Sequence, residues 1–441
     1  MAATPFLDPQ EVNIVEKRSK HSVAIIGCGV KGIFFANLFA ESGYTVICTD
    51  ADPSIVKKTA KGKTISSKPE LEILLKNNIR KGQISVGSEI KKVVSQSDII
   101  IVTISAVDKK ERTDNTQLLN ICKQVGSAIQ QGTLVIYGGI STLGFIEGNL
   151  KEVLENTSGL KVGQSFGLAY CPLLNTNVQL SDLELIVSAL DKRSLESAST
   201  VLKTVTKKVK EINEIKTAEF VALATITIRD VNTAIANELA IFCENANIDY
   251  FKVMGLLGLN EINLKPSILD EEEKNEAYML VDSSENLNIK LRLPTLARQI
   301  NEDMLKHAVK ITQNTLRRLN KTLRRSKVTI LGNTKPESTN ESFIRIIEQK
   351  GAKVNLYDHS IKKDDVKSEK VKNNLNEAVE GTDCIIIVNW QDQFNRLNIK
   401  RFKSLMKSPA AIIDFSGKLD PKKIETEGFI YASLGRGTDY K

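Results

Sequence analysis

Apolar residues fall along this chain in two rhythms. Short runs, Val23-Ala24-Ile25-Ile26, Thr45 to Thr49, Asp98 to Ile104, Gly132 to Tyr137 and Leu183 to Val187, are rich in β-branched and other apolar residues and stop at glycine, aspartate or serine. Runs of this kind predict parallel strands covered on both faces. From Thr217 the rhythm changes. Phe220, Leu223, Ala224, Ile228, Val231, Ile235, Leu239 and Phe242 recur at mostly three- and four-residue steps with no Gly or Pro between them, which predicts one long amphipathic helix. Further helix is expected over 249–257 and 295–325. The polar run Asp270 to Glu276 between them reads as an exposed loop or a charged helix turn.

The first rhythm then returns. Lys327 to Leu331 runs to Gly332, Glu341 to Gln349 has helical spacing, and Gly351 to Asp358 parallels Gly43 to Asp50. In both copies the aspartate lies seven residues beyond the helix-ending glycine. Strands at 384–388 and 411–414 complete the second copy. The pattern predicts an α/β protein: two Rossmann-like, doubly wound parallel-sheet domains joined by a central helical domain. The expected divisions are a tail over 1–20, a first nucleotide-binding domain over 21–215, a helical dimerisation domain over 216–325 and a smaller sheet domain over 326–441.

The two copies differ at the turn after their first strand. The first reads Gly27-Cys28-Gly29-Val30-Lys31-Gly32, with Asp50 closing the second strand 18 positions beyond Gly32. Gly27 permits the tight turn, Gly29 lets backbone approach a pyrophosphate, and Gly32 lets helix and strand pack closely. The N–H groups of Gly29, Val30, Lys31 and Gly32 at the helix start face the anion, and Asp50 is placed to accept from ribose hydroxyls. An acid there disfavours a 2′-phosphate, so the expected cofactor is NAD. The second turn, Asn333-Thr334-Lys335-Pro336, lacks the second and third glycines, and no second dinucleotide is expected on it.

Composition changes this picture little. With 441 residues, 41% hydrophobic and 26% charged, the chain has room for about three domains. Its net charge of +8 comes from scattered lysines rather than a nucleic-acid-binding motif. The six cysteines are spread out, without a CxxC pair, which argues for reduced thiols in a cytoplasmic protein rather than disulfides or a metal site. No stretch reads as a membrane span; glycines and Lys31 interrupt the nearest, 23–40.

The order of these parts resembles the nucleotide-sugar dehydrogenases, the UDP-glucose/GDP-mannose dehydrogenase family, over nearly the whole chain. The segments that carry the resemblance are GCGVKG with Asp50, Lys161 to Pro172, Arg229 to Ala240, Ala297-Arg298-Gln299-Ile300-Asn301, Lys335-Pro336 with Glu341-Ser342, and Gly435-Arg436-Gly437. The resemblance implies NAD-dependent oxidation of a UDP- or GDP-linked sugar at its C6 alcohol, in two steps, through a cysteine thiohemiacetal and thioester. It also implies a homodimer through the central helix and substrate contacts from Lys335 and Arg436.

Carried over residue by residue, the reaction centre does not match. The catalytic cysteine's place falls on Tyr278, the helix lysine's on Ala222 and its asparagine's on Ile226. A glutamate position holds Leu173, a threonine-bearing loop holds Gly138-Gly139, a Pro-Thr-Pro turn is Ser105-Ala106-Val107, and an arginine position is Ser416 or Gly417. Cys171 is the remaining thiol near the expected site. Two functions follow: an NAD-dependent oxidoreductase limited to one hydride transfer, or a catalytically inactive paralogue that binds NAD or a nucleotide sugar in a regulatory or scaffolding role.

Overall fold

The computed structural model describes residues 6–7, 9–64, 69–108, 113–176, 178–258, 264–268, 271–332, 339–358, 369–391, 394–395 and 397–437. They form two units, Met1–Ile226 with Asn275–Lys290, and Thr227–Lys274 with Leu291–Lys441.

Ten strands belong to the first unit: β1 (Ser22–Ile26), β2 (Thr45–Thr49), β3 (Ile84–Val86), β4 (Ile99–Val102), β5 (Val107–Asp108), β6 (Thr113–Asp114), β7 (Leu134–Tyr137), β8 (Gly167–Tyr170), β9 (Glu184–Ala189) and β10 (Lys208–Glu211). β5 and β6 form a small antiparallel ribbon. The rest make one sheet in the order β10-β9-β8-β7-β4-β1-β2-β3, parallel throughout except between β8 and β9. Every residue of β4, β7 and β8 is buried, as the continuous apolar runs require of strands with helices on both faces. Truncating one of these side chains, Ile101 for example, leaves a cavity that costs about 2–5 kcal/mol.

The connections fix where a ligand belongs. From β1 the chain passes to β2 on one side, then crosses to β4 on the other. The loops leaving β1 and β4 therefore diverge and open a crevice at the strands' carboxyl ends.

Within the expected tail, the described residues pack on this unit: Pro9–Val12 and Val15–Arg18 are short helices, and Leu7 and Val12 are buried in the core. Arg18 holds the segment by donating to the carbonyls of Val12 and Ser42, while the Arg193 guanidinium lies 3.8 Å from the Phe6 ring centroid. Of the two readings of the acidic run, the helix turn holds: Glu271–Asn286 is a helix, and its residues 276–279 are buried rather than exposed.

The second unit carries five parallel strands, β11 (Lys327–Leu331), β12 (Lys353–Tyr357), β13 (Cys384–Ile387), β14 (Ala411–Asp414) and β15 (Ile430–Ser433), in the order β12-β11-β13-β14-β15. The helix Ile215–Ala246 gives its residues through Ile226 to the first unit and the remainder to the second. In the second unit it packs with Arg292–Arg318 through a buried polar network. Arg298 Nη1 donates to Asp230 Oδ1 at 2.8 Å, Asn301 Nδ2 donates to the same oxygen at 2.8 Å, and Asn237 Nδ2 donates to Asn301 Oδ1 at 2.8 Å. Burial pushes the Asp230 carboxyl up, against the pull of Arg298 and Asn301. Removing one partner of such a buried pair costs about 3–5 kcal/mol, because the other charge is left uncompensated.

Candidate functional site: a dinucleotide crevice and a second pocket

The crevice at β1 and β4 is built around Gly27. Its φ of +102° is open to glycine, and its N–H donates to Thr49 O at 2.9 Å, closing the turn on the end of β2. A Cβ at Gly32 would lie 1.7 Å from Gly27 O, so only glycine lets the following helix approach. Thr103, just beyond β4, donates from Oγ1 to Gly27 O at 3.0 Å. Gly29 is the N-cap of the helix Val30–Glu41 and supplies no capping side chain. The first-turn N–H groups therefore lack both intrahelical acceptors and a cap, the condition for holding an anion.

Asp50 has two tasks here. Its Oδ2 accepts from Cys28 N at 2.7 Å and its Oδ1 from Asp52 N at 2.9 Å, while the residue stays half-buried. A carboxylate accepts at about four lone-pair sites, so these bonds orient the acid and leave capacity for a sugar hydroxyl.

Lys31 is placed differently from its neighbours in the glycine motif. It is 8% exposed, and its ammonium forms an ion pair with Glu276 and donates to Ser105 Oγ at 3.2 Å. Ser105 Oγ in turn donates to Glu276 Oε1 at 3.0 Å and accepts from Ile140 N at 3.0 Å. Sequence reasoning found Lys31 but not Glu276. A separation of 245 residues, inside a run of surface-like charge, gave no signal of the contact.

No thiol is presented to the crevice. All six cysteines are free and buried, and burial pushes the Cys171 thiol up to about 12. Ala222, Ile226, Leu173 and Tyr278 are buried as well. The Gly138-Gly139 loop has a packing cause, since a Cβ at Gly139 would meet Ile104 O at 2.4 Å. Glu219 is a buried carboxylate accepting from Gly144 N at 2.7 Å and Ile146 N at 3.0 Å. Burial raises its pKa, and these two bonds oppose the rise. Among the described residues no group of three His, Cys, Asp or Glu is arranged to hold a metal ion.

The second unit has its own cavity, of about 420 Å³, a size suited to a nucleoside. Phe251, Phe415 and Pro266 give it an apolar wall, and Lys265 and Lys418 give it cations. The helix network sets one edge, because Ser267 N donates to Asn237 Oδ1 at 3.0 Å. Arg436 sets another. Its guanidinium donates to Gly417 O at 3.2 Å, Leu419 O at 3.0 Å and Tyr431 Oη at 2.8 Å, and lies 4.8 Å from the Phe251 ring centroid. Its Nε stands 3.3 Å from Asp249 Oδ2. So many commitments make Arg436 a brace for the cavity wall rather than a cation projecting from it. Lys335 lies outside the described residues.

Comparison with known proteins agrees with this layout. Residues 21–186 match the NAD binding domain of the UDP-glucose/GDP-mannose dehydrogenase family, 216–303 its central domain and 335–421 its UDP binding domain. The chain belongs to that family. It is 25% identical to a UDP-N-acetyl-D-mannosamine dehydrogenase of Pyrococcus horikoshii over 94% of this chain and 99% of that one. It is 27% identical to Protein CapL of Staphylococcus aureus over 79% of this chain and 83% of that one. Among solved structures, a UDP-D-ManNAc dehydrogenase from P. horikoshii superposes with a TM-score of 0.77 at 24% identity, covering 95% of this chain and all of the other.

As a member of this family the chain carries an NAD-binding domain, and the crevice fits that cofactor. Gly29 leaves room for a pyrophosphate against the helix start, and Asp50 is oriented toward the same turn. Bound NAD supplies a hydride acceptor. Among the described residues no helix is long and apolar enough to cross a membrane.

Proposed function

We propose that this protein binds NAD through Gly27, Gly29, Val30, Lys31, Gly32 and Asp50, and a nucleotide sugar through its second unit, without the family's complete two-step oxidation. The observation that carries this reading is the burial of every cysteine together with Tyr278 at the nucleophile's aligned position. A thioester needs a thiolate within reach of the aldehyde carbon. A thiol raised to about 12 has almost no thiolate at neutral pH, and the polar groups aligned with the oxyanion's partners are replaced by Ala222 and Ile226. What this chain's residues do is bind and orient: the helix start holds the pyrophosphate, Asp50 the ribose, and the 420 Å³ cavity, braced by Arg436, the nucleoside of the sugar.

Several relatives bear the name UDP-N-acetyl-D-mannosamine dehydrogenase, which ranks UDP-N-acetylhexosamines first as ligands. The test is NADH absorbance with UDP-, GDP- and dTDP-sugars, counting NADH formed per sugar consumed. At most one NADH per sugar is expected. Two per sugar, with uronic acid as product, would overturn the reading.

A second reading is an inactive binding paralogue, for which the buried thiols and the apolar residues Ala222 and Ile226 speak; like the first, it leaves the exposed stripe Ile228, Ile235, Leu239 and Phe242 to a second copy of the chain. Under it, NAD binds, no sugar yields NADH, and light scattering gives a dimer mass that Phe242→Glu halves.

A further inference from the structure

The Lys31, Glu276 and Ser105 cluster is explained neither by folding alone nor by cofactor binding alone. Buried ion pairs are poor stabilisers, because removing two charges from water offsets most of their attraction. This one is seated at the carboxyl ends of β1 and β4, where the chain's crossover opens the ligand crevice. The Lys31 ammonium springs from the second residue of the phosphate-facing helix turn, and Ser105 from the loop that leaves β4. Glu276 enters from the helix Glu271–Asn286, far along the chain. Its carboxylate is the one anion among the three, and it engages both of the other groups through Oε1. Lys31 is 8% and Glu276 5% exposed, so the cluster is closed over.

The cofactor is itself an anion. Its pyrophosphate belongs on the Gly29 helix start, two residues before the lysine that Glu276 neutralises. Asp50 adds a second carboxylate on the other flank of the same turn. A pyrophosphate approaching this turn therefore meets a cation already taken by an internal carboxylate.

We propose that Glu276 is an internal competitor for the dinucleotide crevice: it holds Lys31 when the cofactor is away, and NAD binding and release of the Glu276 clasp are linked. Linkage is reciprocal, so a ligand that draws the Glu271–Asn286 helix off Lys31 raises NAD affinity, and NAD loosens that helix by the same factor. The proposal rests on NAD binding at this turn, and the experiment separates the two.

The test is NAD titration by calorimetry on the full chain, with hydrogen exchange followed across residues 276–286. Glu276→Gln keeps the side-chain shape, removes the competing charge and frees the ammonium. NAD affinity should rise roughly fivefold, the scale of one unit charge acting through partly screened surroundings. Lys31→Met leaves the carboxylate facing the crevice, and affinity should fall by a similar factor. In the wild-type chain, NAD should speed amide exchange over 276–286. A pair that only supports the fold predicts the opposite sign, with unchanged or weaker NAD binding in Glu276→Gln and exchange that slows or stays constant. If Glu276→Gln does not fold, the wild-type exchange decides alone, and no speeding with NAD bound overturns the proposal. Absence of NAD binding by the wild-type chain overturns instead the assignment of the cofactor site.

Discussion

Among the described residues the chain builds a strand ending at glycine, a helix and a second strand twice, and the two copies part company at the acid that follows the second strand. Their skeletons agree closely. Gly27 and Gly332 both have positive φ, +102° and +83°, and each donates its N–H to the last residue of the neighbouring strand, Thr49 or Tyr357. Asp50 and Asp358 then follow at matching positions. Asp50 is half-buried and turned onto the glycine turn, where a ribose belongs. Asp358 is 1% exposed and accepts from Gln391 Nε2 at 3.0 Å. The space beside the glycine is filled in both, by side chains in the first, where a Cβ on Gly27 would meet Ile104 Cγ1 at 2.8 Å, and by backbone in the second, where one on Gly332 would meet Asn389 O at 2.3 Å. A nucleotide fold is thus a frame, and whether it holds a dinucleotide depends on what its turn and its acid are left free to touch.

The largest effect should come from closing the first turn. Gly32→Val puts side-chain atoms where a Cβ alone already meets Gly27 O at 1.7 Å, forcing the helix start away from β1. NAD binding should fall more than a hundredfold by calorimetry, about the loss of 3 kcal/mol. Gly332→Ala instead strains the turn of the second copy. It should lower the melting temperature through strain on the order of 1–3 kcal/mol, yet leave NAD affinity within twofold. Equal loss of NAD binding in both variants would erase the distinction between the copies.

Exchanging the acids is the next step down. Asp50→Ala removes the acceptor for the ribose and for Cys28 N together, and NAD affinity should drop roughly tenfold, the scale of one or two hydrogen bonds to a charged group. The preference for NAD over NADP should shrink with it, since the carboxylate no longer repels a 2′-phosphate. Asp358→Ala should alter stability and leave both affinities alone, measured by the same titration.

The frame was legible in the sequence because it is written in local patterns. β-branched runs, the first of each copy ending in glycine, set both sheets, and the three- and four-residue spacing set the helix Ile215–Ala246. The segments Arg229 to Ala240 and Ala297 to Asn301 proved to be the two halves of one buried network, Asp230 with Arg298 and Asn301. What escaped was fixed by distant partners. Leu7 and Val12 are too few to signal a packed segment, and Arg18 tethers it by bonds to Ser42 O that sequence does not show. The buried residues of Glu271–Asn286 are Glu276 to Met279 with Ser283 and Ser284, half of them polar, so no apolar stripe marks the buried face in the sequence. Arg436 was found by its Gly-Arg-Gly setting, but its role as a brace depends on Gly417, Leu419 and Tyr431 converging on it.

Acid titration gives the smallest effect and contrasts the units by sign. Asp383 lies at the start of β13 and accepts from Lys321 Nζ at 2.7 Å and Lys327 N at 2.7 Å. Burial acts to raise its pKa, but those bonds outweigh it and hold the carboxyl below the ordinary range. A depressed folded value binds fewer protons than the unfolded chain, so the stabilisation is present above the unfolded pKa near 4 and is lost as pH falls through the folded value. Glu219 in the first unit is raised by burial, so its contribution runs the other way: the penalty is absent in acid and sets in as pH rises from the unfolded value near 4.3 through the folded one. Urea unfolding between pH 3 and 7 should show Asp383→Asn reducing stability by about 1 kcal/mol at pH 7 and by almost nothing at pH 3. Glu219→Gln removes the charge and keeps an acceptor for only one of Gly144 N and Ile146 N, so it should lower stability overall while flattening the opposite pH slope in the first unit's transition. Identical pH slopes in the wild-type chain and both variants would mean that neither carboxyl's surroundings govern the acid response of its unit.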